Sequence, residues 1–346
     1  MKLLSLSILS FLVLSISVSA RRWDNANAPR RLLGRSYESR FDFLPITGAV
    51  VDRPWSGHYW PDKDGGIAYR WRTGQNTSKY RLHSAERLLS LSEEEIALLS
   101  PAEKYDIFMG RLDYPTVLAE KKRTSLSSPK WFGLCHAFAV AAIHFKEPAP
   151  VRYKVGLPSS GDSVVVSFTT SDIKALLAIG IDQSKEFTNN QIKIMGKRCE
   201  NDGSSACWDI NPGSFHLALT NSIGLKNESF VMDFGSKEDV WNHPVISFSS
   251  TYDFINERKP SGKSQVYREV GITTVVRRAV NIKPTSDLYG SKIRVKTYRY
   301  TIELNRNGKI IGGEWISNEK PDFIWKMDKF NFPKYFNDVY DLVEEK

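Results

Sequence analysis

The run Leu134 to Ile143 contains no proline and no acidic, lysine or arginine side chain. A helix that is apolar on every side has to be buried, so the remainder of the chain must be built around this one. Gly133 precedes the run and supplies the turn into it. Cys135 then falls in the first helical turn, where the positive end of the helix dipole favours thiolate over thiol. A thiolate held there is a nucleophile for an acyl group. The competing reading is a buried structural cysteine at the start of a core helix.

Three cysteines occur in the 346 residues. Cys199 and Cys207 flank a polar, glycine-containing loop and are expected to close a small disulfide, which leaves Cys135 as the odd thiol. The pairing matters because of the first segment. Residues 1–20 carry one lysine, an apolar serine-rich stretch and a small residue at Ala20, the pattern of a secretory signal peptide. The expected location is therefore extracellular, in the medium or a cell wall. There disulfides form, and a free thiol is a liability unless it is used. No other stretch is long and apolar enough to span a membrane. Asn76 and Asn227 open Asn-x-Ser/Thr triplets and are candidate glycosylation sites.

The net charge of +9 is concentrated early, at Arg21, Arg22, Arg30, Arg31, Arg35 and Arg40. With no helical or strand period, residues 21–48 are expected to be a flexible basic arm or pro-segment. No nucleic-acid fold signature accompanies them. Residues 49–346 are expected to form a single catalytic domain.

Helical signals come first. Ser92 before Glu93, Glu94 and Glu95, and Ser100-Pro101-Ala102-Glu103, are helix starts with capping residues. Beyond Pro150 the pattern changes to strands. Asp162 to Phe168 reads as a strand; Thr170-Ser171-Asp172 caps a helix, Ile173 to Ile179, that stops at Gly180. Ser214 to Asn221 alternates as a half-buried strand would, and pairs by pattern with Ser229 to Phe234. Val270 to Ile282 and Lys292 to Leu304 alternate too, and Asn307-Gly308 turns into Ile310 to Trp315. The fold class is α+β: helices packed on an antiparallel sheet, with the cysteine on the central helix, the papain-like plan.

Acyl transfer by cysteine needs an imidazole to move the proton and a third group to hold the imidazole. His216 and Asp233, on successive expected strands, fill those roles in the order Cys135, His216, Asp233. Asp209 and Asn221 are alternatives for the third role. His136 is set aside, since adjacent helical side chains point about 100° apart. Val51 to Arg72 holds two prolines and several large aromatics in a loop, read as a cleft wall. Trp55 or Trp60 is placed to offer an indole N–H to the oxyanion beside the Cys135 N–H, and Trp131 to line the cleft.

At this point the chain resembles the transglutaminase elicitor family. The likeness is carried by Pro54-Trp55-Ser56-Gly57-His58-Tyr59-Trp60-Pro61, by Gly65 to Trp71, by Trp131-Phe132-Gly133-Leu134-Cys135-His136-Ala137 and by Gly312-Gly313-Glu314-Trp315. Val240, Trp241, Asn242 and Pro244 resemble the start of that family's surface peptide, with His243 and Ile246-Ser247-Phe248 departing from it. The resemblance implies a papain-like fold, a Cys-His-Asp triad and isopeptide formation between Gln and Lys side chains of proteins, cell-wall proteins included. A host receptor for the Trp241 loop is the further partner implied.

Two other functions share these residues: a cysteine protease on the same triad, and a non-catalytic wall protein recognised through the Trp241 loop. No metal site is legible. Asp62 and Asp64 fall short of a calcium motif, which leaves calcium use open.

Overall fold

The computed structural model describes residues 23–158, 161–189, 191–197, 210–235, 239–257, 265–344 and 346. The signal segment, Cys199, Cys207 and Asp209 lie outside the described residues. Among these, Cys135 is a free cysteine, and no helix is long and apolar enough to cross a membrane.

Helices dominate the first half: α1 (Arg30–Leu33), α2 (Ala85–Leu89), α3 (Glu93–Ala97), α4 (Pro101–Phe108), α5 (Pro115–Arg123), α6 (Cys135–His144), α7 (Thr170–Asp182), α8 (Lys185–Thr188) and α9 (Pro212–Ala218). The strands are β1 (Thr47–Ala49), β2 (Val151–Gly156), β3 (Ser163–Phe168), β4 (Lys193–Gly196), β5 (Val231–Asp233), β6 (Asn242–Glu257), β7 (Arg268–Ala279), β8 (Ile293–Leu304), β9 (Ile310–Trp315) and β10 (Phe323–Lys326). The main sheet runs β4-β10-β5-β6-β7-β8-β9, with β1 added to β6, and each of its pairings is antiparallel. This is the α+β plan expected from the pattern.

The helix starts follow from their capping residues. Ser92 with Glu95, and Ser100 with Glu103, close reciprocal capping boxes that satisfy two otherwise orphaned N–H groups each. The cap of α7 falls one residue earlier than expected, at Thr169, which pairs with Asp172. The helix also runs past Gly180 to Asp182, because Gly180 packs against the Phe332 ring and does not break the turn. One more side chain ties α4 to α7. Lys104 Nζ donates to Asp172 Oδ2 at 2.8 Å, with both side chains 0% exposed. Trp71 Nε1 donates to the other oxygen of the same carboxylate, bringing in the aromatic loop.

Two hydrophobic cores share the sheet. Successive residues of a strand face opposite sides, so Val231 and Trp325 enter a core with α4, α6 and α7, while Met232 and Ile324 enter another with α9. That second core corrects the expectation of a free basic arm. Leu32, Leu33, Phe41 and Leu44 are buried in it, and Thr47–Ala49 pairs with β6. Arg30, Arg31, Arg35 and Arg40 are exposed while the apolar residues anchor the segment.

A second correction concerns 214–221. This stretch is helical: Asn211 caps α9 through its side chain, Pro212 opens it, and the chain continues as a π-helical stretch, Leu219–Leu225. All residues from Pro212 to Ile223 are buried, so polarity follows neither a period of two nor one of 3.6. Thr220 Oγ1 and Asn221 Nδ2 satisfy themselves on the carbonyls of His216 and Leu217 one turn back.

Candidate active site

Cys135 opens α6 and is 4% exposed. Its position is set by the loop before it. Leu134 N–H donates to the Tyr59 carbonyl at 2.6 Å, and Asp62 N–H to the Phe132 carbonyl at 3.0 Å. A Cβ on Gly133 would lie 2.5 Å from the Tyr59 oxygen and 2.9 Å from that of Trp60. Gly133→Ala is therefore expected to push the aromatic loop off the cysteine turn. The expected cost is about 1–3 kcal/mol, read in thermal denaturation, with a matching loss of thiol protection.

Around the sulfur lie groups from four elements. The Val240 carbonyl oxygen and Asn242 Nδ2 are each 3.9 Å from Sγ. Trp325 Nε1 donates to Asn242 Oδ1 at 2.8 Å, which turns the amide so that its NH₂ faces the sulfur. Tyr59 and Trp241 meet edge to face at 5.3 Å beside it. The expected elicitor-like residues Val240, Trp241 and Asn242 thus border the cysteine, while Pro244 sits further along β6, opposite Val231.

The imidazole nearest the sulfur is His136. Its Nε2 is 2.8 Å from Asp182 Oδ1, at the end of α7, and Phe187 stacks on the ring at 4.7 Å. Burial lowers the His136 pKa, but the Asp182 hydrogen bond and then the Cys135 thiol outweigh it and raise the pKa to about 9. Burial likewise raises Asp182, and His136, then Arg123, overcome that and lower it. His136 is accordingly an imidazolium at neutral pH, hydrogen-bonded to the Asp182 carboxylate and coupled electrostatically to Cys135. The reading that set it aside treated side chains as pointing straight out. In the first helical turn they lean back toward the N-terminus. A histidine adjoining the nucleophile, with an acid closing the next core helix, was the available signal.

His216 is not brought to Cys135. It sits on α9, 1% exposed, in the core on the other face of the sheet. Its Nδ1 is 2.9 Å from the Tyr300 hydroxyl, which continues to Thr274 and Ser250. Asp233 does share the cysteine's face, in register with Asn242. Its Oδ1 accepts the backbone N–H groups of Gly235 and Trp241, so it fixes the loop that carries Val240. Asn221, the alternative third member, is engaged with Glu38 on the far side. Neither pairs with His216.

The aromatic candidates separate. Trp55 Nε1 donates to the Phe145 carbonyl at 2.9 Å and is spent. Trp60 is fully buried and its Nε1 has no hydrogen-bond partner among the described residues. Trp131 packs against Phe132. Asp62 pairs with Arg123 at 2.9 Å. No group of three or more His, Cys, Asp or Glu side chains among the described residues is placed to hold a metal. Of the glycosylation candidates, Asn227 is exposed with φ 57° and accepts the Val51 N–H. Asn76 is half-buried and accepts from Ser78.

A structure similar to this one is that of the GP42 transglutaminase from Phytophthora sojae. It is 22% identical and aligns over 92% of this chain and 96% of that one, with a TM-score of 0.66. At that identity the likeness is one of fold. No curated protein matches the chain. The sequence of residues 114–269, which runs from the start of α5 through the cysteine helix to the Val240–Pro244 loop and into β7, matches the transglutaminase elicitor family.

Proposed function

We propose that the protein is an exported protein-glutamine γ-glutamyltransferase that joins Gln and Lys side chains through a Cys135 thioester. The observation that carries this reading is the thiol at a helix start with an imidazolium, His136, held beside it by Asp182. Cys135, attacking as the thiolate that pairs with the imidazolium, adds through Sγ to the carboxamide carbon of a glutamine. The C–N bond breaks, and His136 gives its proton to the departing ammonia. A lysine amine then attacks the thioester, His136 takes up the amine proton, and the C–S bond breaks to release the isopeptide and the Cys135 thiolate, which restores the thiolate–imidazolium pair. Asn242 Nδ2 and the Cys135 N–H stand where the oxyanion develops. The Tyr59–Trp241 contact and the Val240 strap cover the sulfur, which favours an amine over water as the second nucleophile.

Because the first step needs the His136 proton, the rate is expected to fall as pH rises through about 9. The decisive experiment is incubation with a glutamine donor and a labelled primary amine, with and without prior iodoacetamide. Amine incorporation lost on alkylation of Cys135 supports the reading. Peptide cleavage without incorporation would make it a protease, and full activity after alkylation would make Cys135 structural.

Asn242 and Trp325 give a finer test. Asn242→Asp places a carboxylate against the developing oxyanion and is expected to lower kcat by about 10²–10³ with KM little changed. Trp325→Phe leaves Asn242 in place but unoriented and should cost less. Equal losses in KM and kcat for both variants would point to a distorted cleft instead.

A further inference from the structure

On the sheet face turned away from Cys135 lies a row of polar groups that the reaction does not use. His243 on β6, Arg278 on β7 and Arg294 on β8 occupy adjacent strands near one end of the sheet. Arg278 is opposite both Val245 and Arg294 in the registers, and His243 lies two residues before Val245, on the same face. The Phe234 ring floors the row, 3.8 Å from the Arg278 guanidinium carbon and 6.0 Å from the His243 ring.

The row is unsatisfied. Arg278 Nε and Nη1 and His243 Nδ1 are buried without a hydrogen-bond partner among the described residues, and so is the Tyr298 hydroxyl on the same face of β8. His243 is 5% exposed and Tyr298 0%. Buried polar atoms without partners are uncommon and point to an occupant. The charges that act on this spot are Arg278 and Arg294, with Asp233 felt through the sheet from the other face and Glu319 beyond Tyr298. Burial, then Arg278, drives the His243 pKa down to about 3. The ring is therefore neutral, and its unpartnered Nδ1 is free to accept a hydrogen bond.

We propose that His243, Arg278 and Arg294 form a binding site for a protonated tetrahedral oxyanion, free hydrogen phosphate. The arginine N–H groups would donate to its oxygens, and its remaining P–OH would donate to His243 Nδ1. Sulfate, which has no such proton at neutral pH, loses that last bond and binds at least tenfold more weakly. The site does not depend on the reading of Cys135. It lies on the reverse of the β5–β6 strand pair that carries Asp233 and Asn242.

The test is isothermal titration of the whole protein with inorganic phosphate, sulfate and a phosphoserine peptide, at constant ionic strength and neutral pH, beside its Arg278→Gln and His243→Phe variants. One phosphate per chain is expected, with a melting temperature raised by about 3 °C at saturating ligand. Arg278→Gln should weaken phosphate at least tenfold. His243→Phe should bring phosphate and sulfate to equal affinity. The phosphoserine peptide, whose phosphate is mostly the dianion without a P–OH at neutral pH, is expected to bind no better than sulfate, and peptide binding without binding of the free ion counts against the proposal. Absence of phosphate binding to the wild-type chain, or unchanged binding in Arg278→Gln, overturns the proposal. So does sulfate matching phosphate in the wild-type chain.

Discussion

Cys135→Ala is expected to reduce amine incorporation by about 10⁴-fold or more, since the acyl group then has nothing to attach to. His136→Gln should lose about 10²–10⁴-fold, the range for a removed general acid-base group, and should abolish the decline above pH 9. Asp182→Asn should fall between wild type and His136→Gln, because it releases the imidazole from its orientation and lowers its pKa without deleting it. The informative contrast is His216→Gln. Its ring is 1% exposed and tied to Tyr300 across the sheet from the sulfur, so this variant should be less stable yet react at the wild-type rate per folded molecule. The measurement is initial rate of labelled-amine transfer, corrected for folded fraction by circular dichroism. A His216→Gln rate as low as that of His136→Gln would restore the triad expected from chain order.

Acid should unfold the protein well above the pH at which its carboxylates titrate. His216 is pushed down to about 4 by burial, and His243 to about 3 by burial and the Arg278 charge. Each is neutral when folded and takes a proton near pH 6.5 when unfolded. The stability each contributes is fully present above about 6.5 and is lost as pH falls toward the folded value, at about 1.4 kcal/mol per pH unit. By pH 4 the two together cost about 6 kcal/mol, comparable with the whole stability of many domains. His58, also lowered to about 4 by burial, adds to this. His136 acts in the other direction. Its raised pKa contributes fully below 6.5 and is lost as pH climbs toward 9, so it gives no relief from the loss in acid. Thermal melts from pH 7 to 4 should fall steeply below 6, and His216→Gln should flatten the fall by about a third, since His216, His243 and His58 contribute comparably. A melting temperature unchanged down to pH 4.5 would refute the burial argument.

What could be read in advance was whatever local chemistry dictates. Ser92, Ser100 and their acids mark helix starts because capping is satisfied within four residues. The alternation of β7 and β8 was visible because each lies between a core and a more open face. Residues 214–221 failed because total burial removes the contrast on which periodicity depends. The residues around Cys135 were hidden for a different reason. Asp182, Phe187, Asn242 and Trp325 are brought to it from four separate elements, and no spacing encodes such meetings. The start of a buried helix at Cys135 was legible, but not that the Val240 carbonyl and the Asn242 amide meet its sulfur.

The early strand carries a consequence for biosynthesis. Gly48 lies opposite Phe248, two hundred positions later in the chain. A ribosome therefore releases the first segment, with Leu32, Phe41 and Leu44 bare, long before its partner strand exists. Closing so large a loop is slow, and until then those side chains are open to aggregation. Production of this protein should respond more to chaperone supply and to translation speed across the first 250 codons than to changes in the helices around the thiol.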